Sequence, residues 1–390
     1  MTNLLLVTTL YPNEVQFRHG IFGEARLRHL IAAGGYKAVV IAPVPWFPSK
    51  SRIFSSYSKY AQVPALEERY GIVVHHPRYL VVPKIGMLIT PIFLALSVLL
   101  CARRLKRAGY DYDLVDAHYY YPDGVAVALI SCFLAKPFTI TARGSDINVL
   151  TEYALPRRWI RWAAEKAAAS IVVSRALKDR LVKLGVNQEK IHVLRNGVDL
   201  DHFVPLPKDQ CKNSLGLGDC TLVSVGNLVE LKGHDLAIRA LEQLPECQLL
   251  IVGDGEMRES LGALATRLGV DKRVRFLGAL PQSALVEVYS ASEMLVLASS
   301  REGMPNVVLE AMACDTPVVA TAVGGVPEVV CAPEAGVLVQ TRDVDSIVAA
   351  IRQLLAHYPS PGATRRYAES FSWQKTVSGL NHLFGRIIAR

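Results

Sequence analysis

The sequence predicts an α/β protein built on two doubly wound parallel sheets, and three observations lead there. Short apolar runs alternate with stretches whose apolar residues recur at helical spacing, the pattern of strand–helix units covered on both faces of a sheet. That alternation runs through about half of the chain, breaks, and starts again. The chain has 390 residues, enough for two or three domains. With 51% hydrophobic and 20% charged residues it has a globular composition, which excludes disorder of the whole chain.

The first run, MTNLLLVTTLYP, has no basic leader and no small-residue cleavage site, so it reads as a buried strand at 3–9 and not as a signal peptide. Further strands are expected at 38–42, 114–117, 138–141, 170–173 and 192–194. Helices are expected between them at 20–33, 85–107, 123–134, 156–168 and 175–184. The stretch 199–219 carries Pro205, Pro207, Gly216 and Gly218 and reads as a linker. The second series follows, with strands at 221–225, 248–252, 274–277, 294–297, 317–320 and 336–339. Its helices are expected at 234–244, 256–268, 283–290, 305–313 and 344–357. Two doubly wound domains facing a cleft would bind ligands outside the carboxyl ends of their strands.

Seven cysteines, an odd number with no CxxC, argue against a disulfide framework and a zinc ribbon and favour a reducing, cytoplasmic setting. The net charge of +8 divides into +12 over residues 1–200 and −4 over 201–390. The basic first half suits an anionic partner or is simply a solvated surface. Nucleic acid is set aside because no zinc-finger, RNP-like or long basic signature occurs. Residues 85–101 form a run of seventeen without a charge, flanked by Lys84 and by Arg103, Arg104, Lys106 and Arg107, with Pro91 inside it. Three readings stand: a partly buried helix, a helix dipping into a bilayer surface with its cations on headgroups, or a short membrane span.

The stretch SSREGMPNVVLEAMACDTPVVAT at 299–321 carries the most chemistry. Gly303 permits close backbone approach to a ligand. Pro305 suits the first turn of a helix, whose free amides at Met304, Asn306 and Val307 would form an anion site. Glu310 could accept both hydroxyls of a ribose diol, and Glu302 the hydroxyls of a sugar. Two glutamates eight positions apart say little alone, but here strand, glycine, proline, helix and next strand frame them. The arrangement resembles the E-x7-E motif of family 4 retaining glycosyltransferases, which have the GT-B fold.

Other stretches fit that resemblance in the right order. VSVGNLVELKGHD at 223–235 resembles the family's diphosphate-holding strand, loop and helix, which implies donor contacts at Gly226, Asn227 and Lys232. LLIVGDGEMRESL at 249–261 resembles the next strand and turn, with Gly253, and VRFLGALPQSAL at 274–285 the segment beside the base, with Leu277. LRNGVDLDHF at 194–203 resembles the crossing between domains, and VGGVPEVV and AGVLV the closing strands. In the first half, YPNEVQFRHGIFGEARLRHL resembles the first glycine-containing loop, with Gly20 near the donor phosphates. DAHYYYPDG places His118 at a strand end, where family members keep a histidine beside the reacting sugar. TARGSDI resembles a stretch that often reads T-x-H-G-x-D, with Arg143 in place of the histidine and Asp146 retained.

Each of these has a plainer reading. His118 could be a bonded loop residue, Arg143 a surface or phosphate-contacting residue, and Asp146 the cap of the following helix. Two residues depart from the family: Asn227 where arginine is common, and Asp315 where glycine usually follows the helix. The resemblance implies two Rossmann-like domains, 1–198 on the acceptor side and 199–370 holding the donor. The terminal helix, which FSWQKTVSGL opens, then falls within 371–390 and returns to the first domain. It implies retaining transfer of a sugar from a UDP- or GDP-sugar to the hydroxyl of a glycan or lipid-linked acceptor. His118, Glu302, Lys232 and Asp146 would act at the reacting sugar. Neither metal nor cofactor is expected, and the implied place is the cytoplasm, peripheral at the inner face of an anionic membrane. No carboxylate in the first half is an evident nucleophile, so a same-face reaction is expected.

The rival readings are a nucleotide-sugar epimerase, a sugar phosphorylase, and a non-catalytic binding subunit. Asp111, Tyr112 and Asp113 spell a D-x-D, but it precedes a strand and reads as a loop. No GxGxxG follows the first strand and no GxSxG or GxxxxGK[ST] occurs, which argues against dinucleotide oxidoreductases, α/β-hydrolases and P-loop NTPases.

Overall fold

The structure is a computed structural model and describes residues 1–46, 58–81 and 86–389. The chain forms two compact units: Met1–Arg195 together with the chain from Thr376 onward, and Asn196–Lys375.

The first unit holds strands β1 (Thr2–Val7), β2 (Tyr36–Ile41), β3 (Val44–Pro45), β4 (Leu66–Arg69), β5 (Ile72–His75), β6 (Arg78–Tyr79), β7 (Leu114–His118), β8 (Phe138–Ala142), β9 (Ala169–Val172) and β10 (Ile191–Val193). Its helices in this part of the chain are α1 (Ile21–Ala32), α2 (Ser58–Gln62), α3 (Gly86–Arg107), α4 (Val125–Leu134), α5 (Ser145–Asn148), α6 (Ala154–Lys166) and α7 (Arg175–Lys183). Eight strands make one sheet in the order β10-β9-β8-β7-β1-β2-β5-β4. All of its pairings are parallel except β4 with β5. Burial of both faces explains the LLLV run of β1, and every residue of β7 and β8 is buried, the polar Asp116, His118, Thr139 and Thr141 included.

The second unit holds α8 (Lys208–Leu215), β11 (Cys220–Val225), α9 (His234–Ala240), β12 (Cys247–Val252), α10 (Arg258–Arg267), β13 (Val274–Gly278), α11 (Gln282–Ala291), β14 (Met294–Leu297), α12 (Asn306–Ala313), β15 (Val318–Thr321), β16 (Gly336–Val339), α13 (Val344–Ala356) and α14 (Ala363–Glu369). Its sheet is wholly parallel in the order β13-β12-β11-β14-β15-β16. Helix caps follow local chemistry, as where Asp343 accepts from the Ser346 amide at 2.7 Å and opens α13. The last helix, α15 (Trp373–Ile388), places Leu380, Leu383, Phe384 and Ile387 in one core with Leu4, Leu6, Leu27 and Tyr36 of the first unit. The Phe384 and Tyr36 rings meet edge to face at 6.3 Å.

Several sequence expectations need correction. The stretch 199–219 is not bare linker: α8 lies in it between Pro207 and the left-handed Gly216, buries Cys211 and packs on α11. The helix expected to run to residue 244 ends at Ala240. Asp123 stands ahead of α4 in a distorted turn instead of opening the helix. Pro305 precedes α12 with extended backbone, so Asn306 is the first helical residue. Strands β3 to β6 were not foreseen, being two to four residues long with little apolar run. One disulfide, Cys220–Cys247, joins paired positions at the start of β11 and β12. A sequence separation of 27 gave no signal for it. Ile85 and Lys84, at the start of the uncharged run, lie outside the described residues.

Both sheets reverse their strand order at one point. In the first unit the reversal falls between β1 and β7, and in the second between β11 and β14. There the loops leave in opposite directions and open a crevice at the strand ends.

Candidate functional site

In the first unit the candidate residues stand at the carboxyl ends of β1, β7 and β8. His118 is the last residue of β7 and pairs in register with Thr141 of β8. Its Nδ1 lies 2.8 Å from Arg143 Nη2 and its Nε2 2.9 Å from Asp116 Oδ2. A guanidinium can only donate, so Nδ1 accepts and Nε2 carries the proton that goes to Asp116. Asp116 also accepts from Thr139 Oγ1 at 2.7 Å. Burial holds His118 down to about 4, with the Arg143 charge adding to the effect, so its ring is neutral at physiological pH. Burial would raise Asp116, but its bond to His118, the Arg26 charge and the Thr139 hydroxyl keep it below the usual carboxylate range. Arg143 is half-buried and turned onto the histidine: burial pulls it down to about 9, and it occupies the one acceptor nitrogen of His118.

Asp146 is fully buried, and its carboxylate accepts from the amides of Tyr120 at 2.9 Å, Arg143 at 3.1 Å and Gly144 at 2.8 Å. It ties the loop after β7 to the loop after β8. Gly20 has φ 74°, and a Cβ there would stand 2.1 Å from the Leu10 carbonyl oxygen, so only glycine lets α1 start against the loop after β1. Across the reversal point, Asp123 accepts from the Thr9 amide at 2.6 Å and the Thr9 hydroxyl at 3.0 Å. Burial raises the Asp123 carboxyl to about 8.

In the second unit the loops after β11 and β14 meet. Lys232 Nζ donates to Glu302 Oε1 at 2.7 Å, and Ser299 Oγ donates to the same oxygen at 2.7 Å. A lysine and a glutamate seventy residues apart, each singled out in the sequence, thus form one ion pair at the sheet's reversal point. Gly226 lies under the lysine stem, where a Cβ would stand 3.5 Å from Lys232 Cδ. Gly253 has φ 145°, and a Cβ on it would fall 1.8 Å from the Gly226 carbonyl oxygen, so the two loops pack backbone on backbone. The Gly253 amide donates to Gly278 at 2.8 Å, which brings the end of β13, with Leu277, beside the same turn. The Asn227 side chain is exposed, while its carbonyl accepts from His234 Nε2 at 3.3 Å.

Helix α12 begins at Asn306; the Val308 amide donates to the Pro305 carbonyl at 3.2 Å, while the Asn306 and Val307 amides have no intrahelical acceptor. Met304 and Pro305 are buried ahead of it, Asn306 and Val307 are half-buried, and Gly303 accepts from the Gly325 amide at 3.1 Å. One turn in, Glu310 is buried and accepts from Tyr289 Oη at 3.1 Å and Gln282 Nε2 at 3.4 Å. A carboxylate has about four acceptor positions, so capacity remains for a diol. Burial raises Glu310 to about 7. A raised carboxyl subtracts stability as pH climbs from its unfolded value to its folded one. Glu310→Gln is therefore expected to raise the melting temperature at pH ~8, by the equivalent of about 3 kcal/mol, and to change it little near pH ~4. Melting curves at both pH values check this.

Sequence reasoning missed Asp116, Asp123, Tyr289 and Ser299 as members of these clusters. Asp116 had a signal, since positions two apart on a strand share a face with His118. The others are joined only by the fold. Asp315, the departure after α12, takes φ 60°, and its carboxylate accepts from the amides of Gly362 at 2.7 Å and Arg365 at 3.0 Å. It thereby caps α14 while making the turn a glycine would make.

Residues 26–202 match the profile described as Glycosyltransferase Family 4, and residues 207–371 the profile described as Glycosyl transferases group 1. The chain is 33% identical over 307 residues to a D-inositol 3-phosphate glycosyltransferase of Mycobacteroides abscessus, spanning 74% of this chain and 69% of that one. It is 31% identical over 333 residues to a putative teichuronic acid biosynthesis glycosyltransferase, TuaC, of Bacillus subtilis, spanning 83% and 82%. Among solved structures it is similar to a sucrose-phosphate synthase from Thermosynechococcus elongatus, with TM-score 0.82, 20% identity and full coverage of both chains. The Anabaena protein HepE in complex with UDP-glucose gives TM-score 0.72 at 21% identity, again over both full chains. These likenesses show the GT-B fold.

Proposed function

The chain belongs to glycosyltransferase family 4, and from that membership we propose that it transfers a sugar, with retention and without a metal, from a UDP- or GDP-sugar to a hydroxyl of a lipid-linked glycan. The observation that carries the reading is the Lys232–Glu302 pair at the reversal point of the second sheet. A cation for a diphosphate and a carboxylate for sugar hydroxyls stand side by side there. The α12 amides supply a second anion site and Glu310 a ribose site. Relatives support the substrate classes: HepE was crystallised with UDP and UDP-glucose, and TuaC is named for teichuronic acid biosynthesis. The acceptor belongs to the first unit, in this reading, and the enzyme works in the cytoplasm at the inner face of a membrane.

When the bond from the anomeric carbon to the diphosphate oxygen breaks, negative charge gathers on the leaving phosphate. Lys232 and the α12 amides stabilise it. The acceptor oxygen forms its bond to the same face of the sugar, and its proton passes to the departing phosphate oxygen. His118 is not the base, because its Nε2 already carries a proton and its Nδ1 holds Arg143. With both ring nitrogens engaged, it holds the Arg143 guanidinium at the end of β7.

The test is a thermal-shift titration with UDP, GDP and their sugar conjugates on the wild type and Glu310→Ala. A ligand at 100 times its dissociation constant adds ~2.7 kcal/mol of stability. One nucleotide is expected to stabilise the wild type and to lose that effect in the variant. No shift with any nucleotide would sink the donor assignment. Product anomers read by NMR decide retention, and turnover in excess EDTA decides metal dependence.

A further inference from the structure

Over residues 88–100 of α3, every exposed position is a large aliphatic: Leu88, Ile92, Leu96 and Leu100, with exposures of 42, 51, 54 and 48%. They recur every fourth residue and form one stripe. A soluble helix ordinarily turns polar residues outward. The last turns then reverse the chemistry, with Arg103, Arg104, Lys106 and Arg107 all exposed. Neither α3 nor its neighbour α4 contains an acidic residue. On α4, Phe133 is 62% exposed beside the stripe's basic end, with the Arg103 guanidinium 5.7 Å from its ring centre.

A cavity of about 470 Å³ adjoins this face and shares Leu100 and Arg104 with it. Leu66, Leu105 and Arg78 also line it. Arg78 Nη2 donates to the Val63 carbonyl, whereas Nη1 is buried with no hydrogen-bond partner among the described residues. An unpaired buried guanidinium donor is costly, and Arg78 and Arg104 together bring two guanidinium groups to the lining of this cavity.

We propose that the α3–α4 face docks on an anionic phospholipid bilayer, with the aliphatic stripe in the acyl boundary, the basic turns on headgroups, and the Arg78–Arg104 cavity taking one lipid phosphate and the start of its chains. The helix lies in the surface and does not cross it, because its other face, with Leu94, Val98, Ala102 and Leu105, is buried in the unit. Charge selects lipid over a second copy: a two-fold contact through this face would press two identical cation clusters together. The proposal rests on the membrane part of the proposed function and is independent of its donor part, since none of these residues belongs to the second unit.

Flotation of the full chain with phosphatidylcholine–phosphatidylglycerol vesicles, against pure phosphatidylcholine, tests it. The wild type is expected to bind the anionic vesicles at physiological salt and to bind the neutral ones far less. Arg103→Gln with Arg107→Gln should weaken binding about 30-fold, at ~1 kcal/mol per surface cation. Ile92→Asn with Leu96→Asn should weaken it at least ~10-fold, since both side chains leave the acyl boundary. All four positions are exposed, so both variants should keep the wild-type melting temperature and its shift with nucleotide. Absence of wild-type binding to anionic vesicles would overturn the proposal, as would unchanged binding by both variants. A lipid-free dimer that Ile92→Asn with Leu96→Asn dissolves would overturn it in favour of a second copy.

Discussion

Lys232→Ala is expected to lower kcat by roughly two to three orders of magnitude, the loss that follows removal of a main charge-stabilising donor. KM for the donor should rise as well, because a diphosphate carries charge before the bond breaks, but the larger effect belongs to the step in which charge develops. The same variant should lower folding stability only modestly. Its ion pair with Glu302 is partly buried, with side chains 22% and 9% exposed, so losing the lysine costs more than a surface pair would, about 1–2 kcal/mol. Ser299 still donates to Glu302 when the lysine is gone. Steady-state kinetics with a melting curve separate the two outcomes. Near-normal turnover would move the phosphate site elsewhere, and a collapsed melting temperature would make Lys232 structural.

Asp146→Ala should do the opposite and unfold before it informs on chemistry. The substitution strands the amides of Tyr120, Arg143 and Gly144 in a fully buried place. Leaving buried donors unpaired costs ~1–3 kcal/mol for each, less whatever relaxation recovers, so a loss of about 3 kcal/mol is expected. For a unit of this size that lowers its melting temperature by about 10 °C. Asp146→Asn keeps one acceptor oxygen and should lose about half as much. The nucleotide-induced shift, which depends on the second unit, should survive in both. Full stability with lost turnover would instead return Asp146 to direct contact with substrate.

The two variants mark what the sequence could and could not say. The second sheet was legible because most of its strands, such as LLIV in β12 and MLVL in β14, are plain apolar runs, and the Glu302–Glu310 stretch carries its context within twenty residues. The pairing of Lys232 with Glu302 was not legible, since it follows from β11 and β14 lying side by side in the sheet. His118 was legible as a strand-end histidine. Its partner Arg143 looked like a weakened copy of a family position, and only the register of β7 with β8 brings that guanidinium onto the ring. The edge strands β3 to β6 escaped because short strands with charged residues, such as LEER in β4, carry almost no periodic signal. Helix α8 escaped because prolines and glycines at its two ends resemble a linker until the helix between them is seen.

The closing helix bears on the order in which the molecule can be made. Leu380, Leu383, Phe384 and Ile387 complete the core that Leu4, Leu6 and Tyr36 begin. During synthesis those four side chains leave the ribosome only after the whole of the second unit. The first unit to be translated is therefore the last to close, and until then its sheet waits with an apolar face open to water and to chaperones. A second unit that folds promptly brings α15 back to that face and shortens the wait. Removing residues after Thr376 would leave a first unit that stays sticky however well the second one folds.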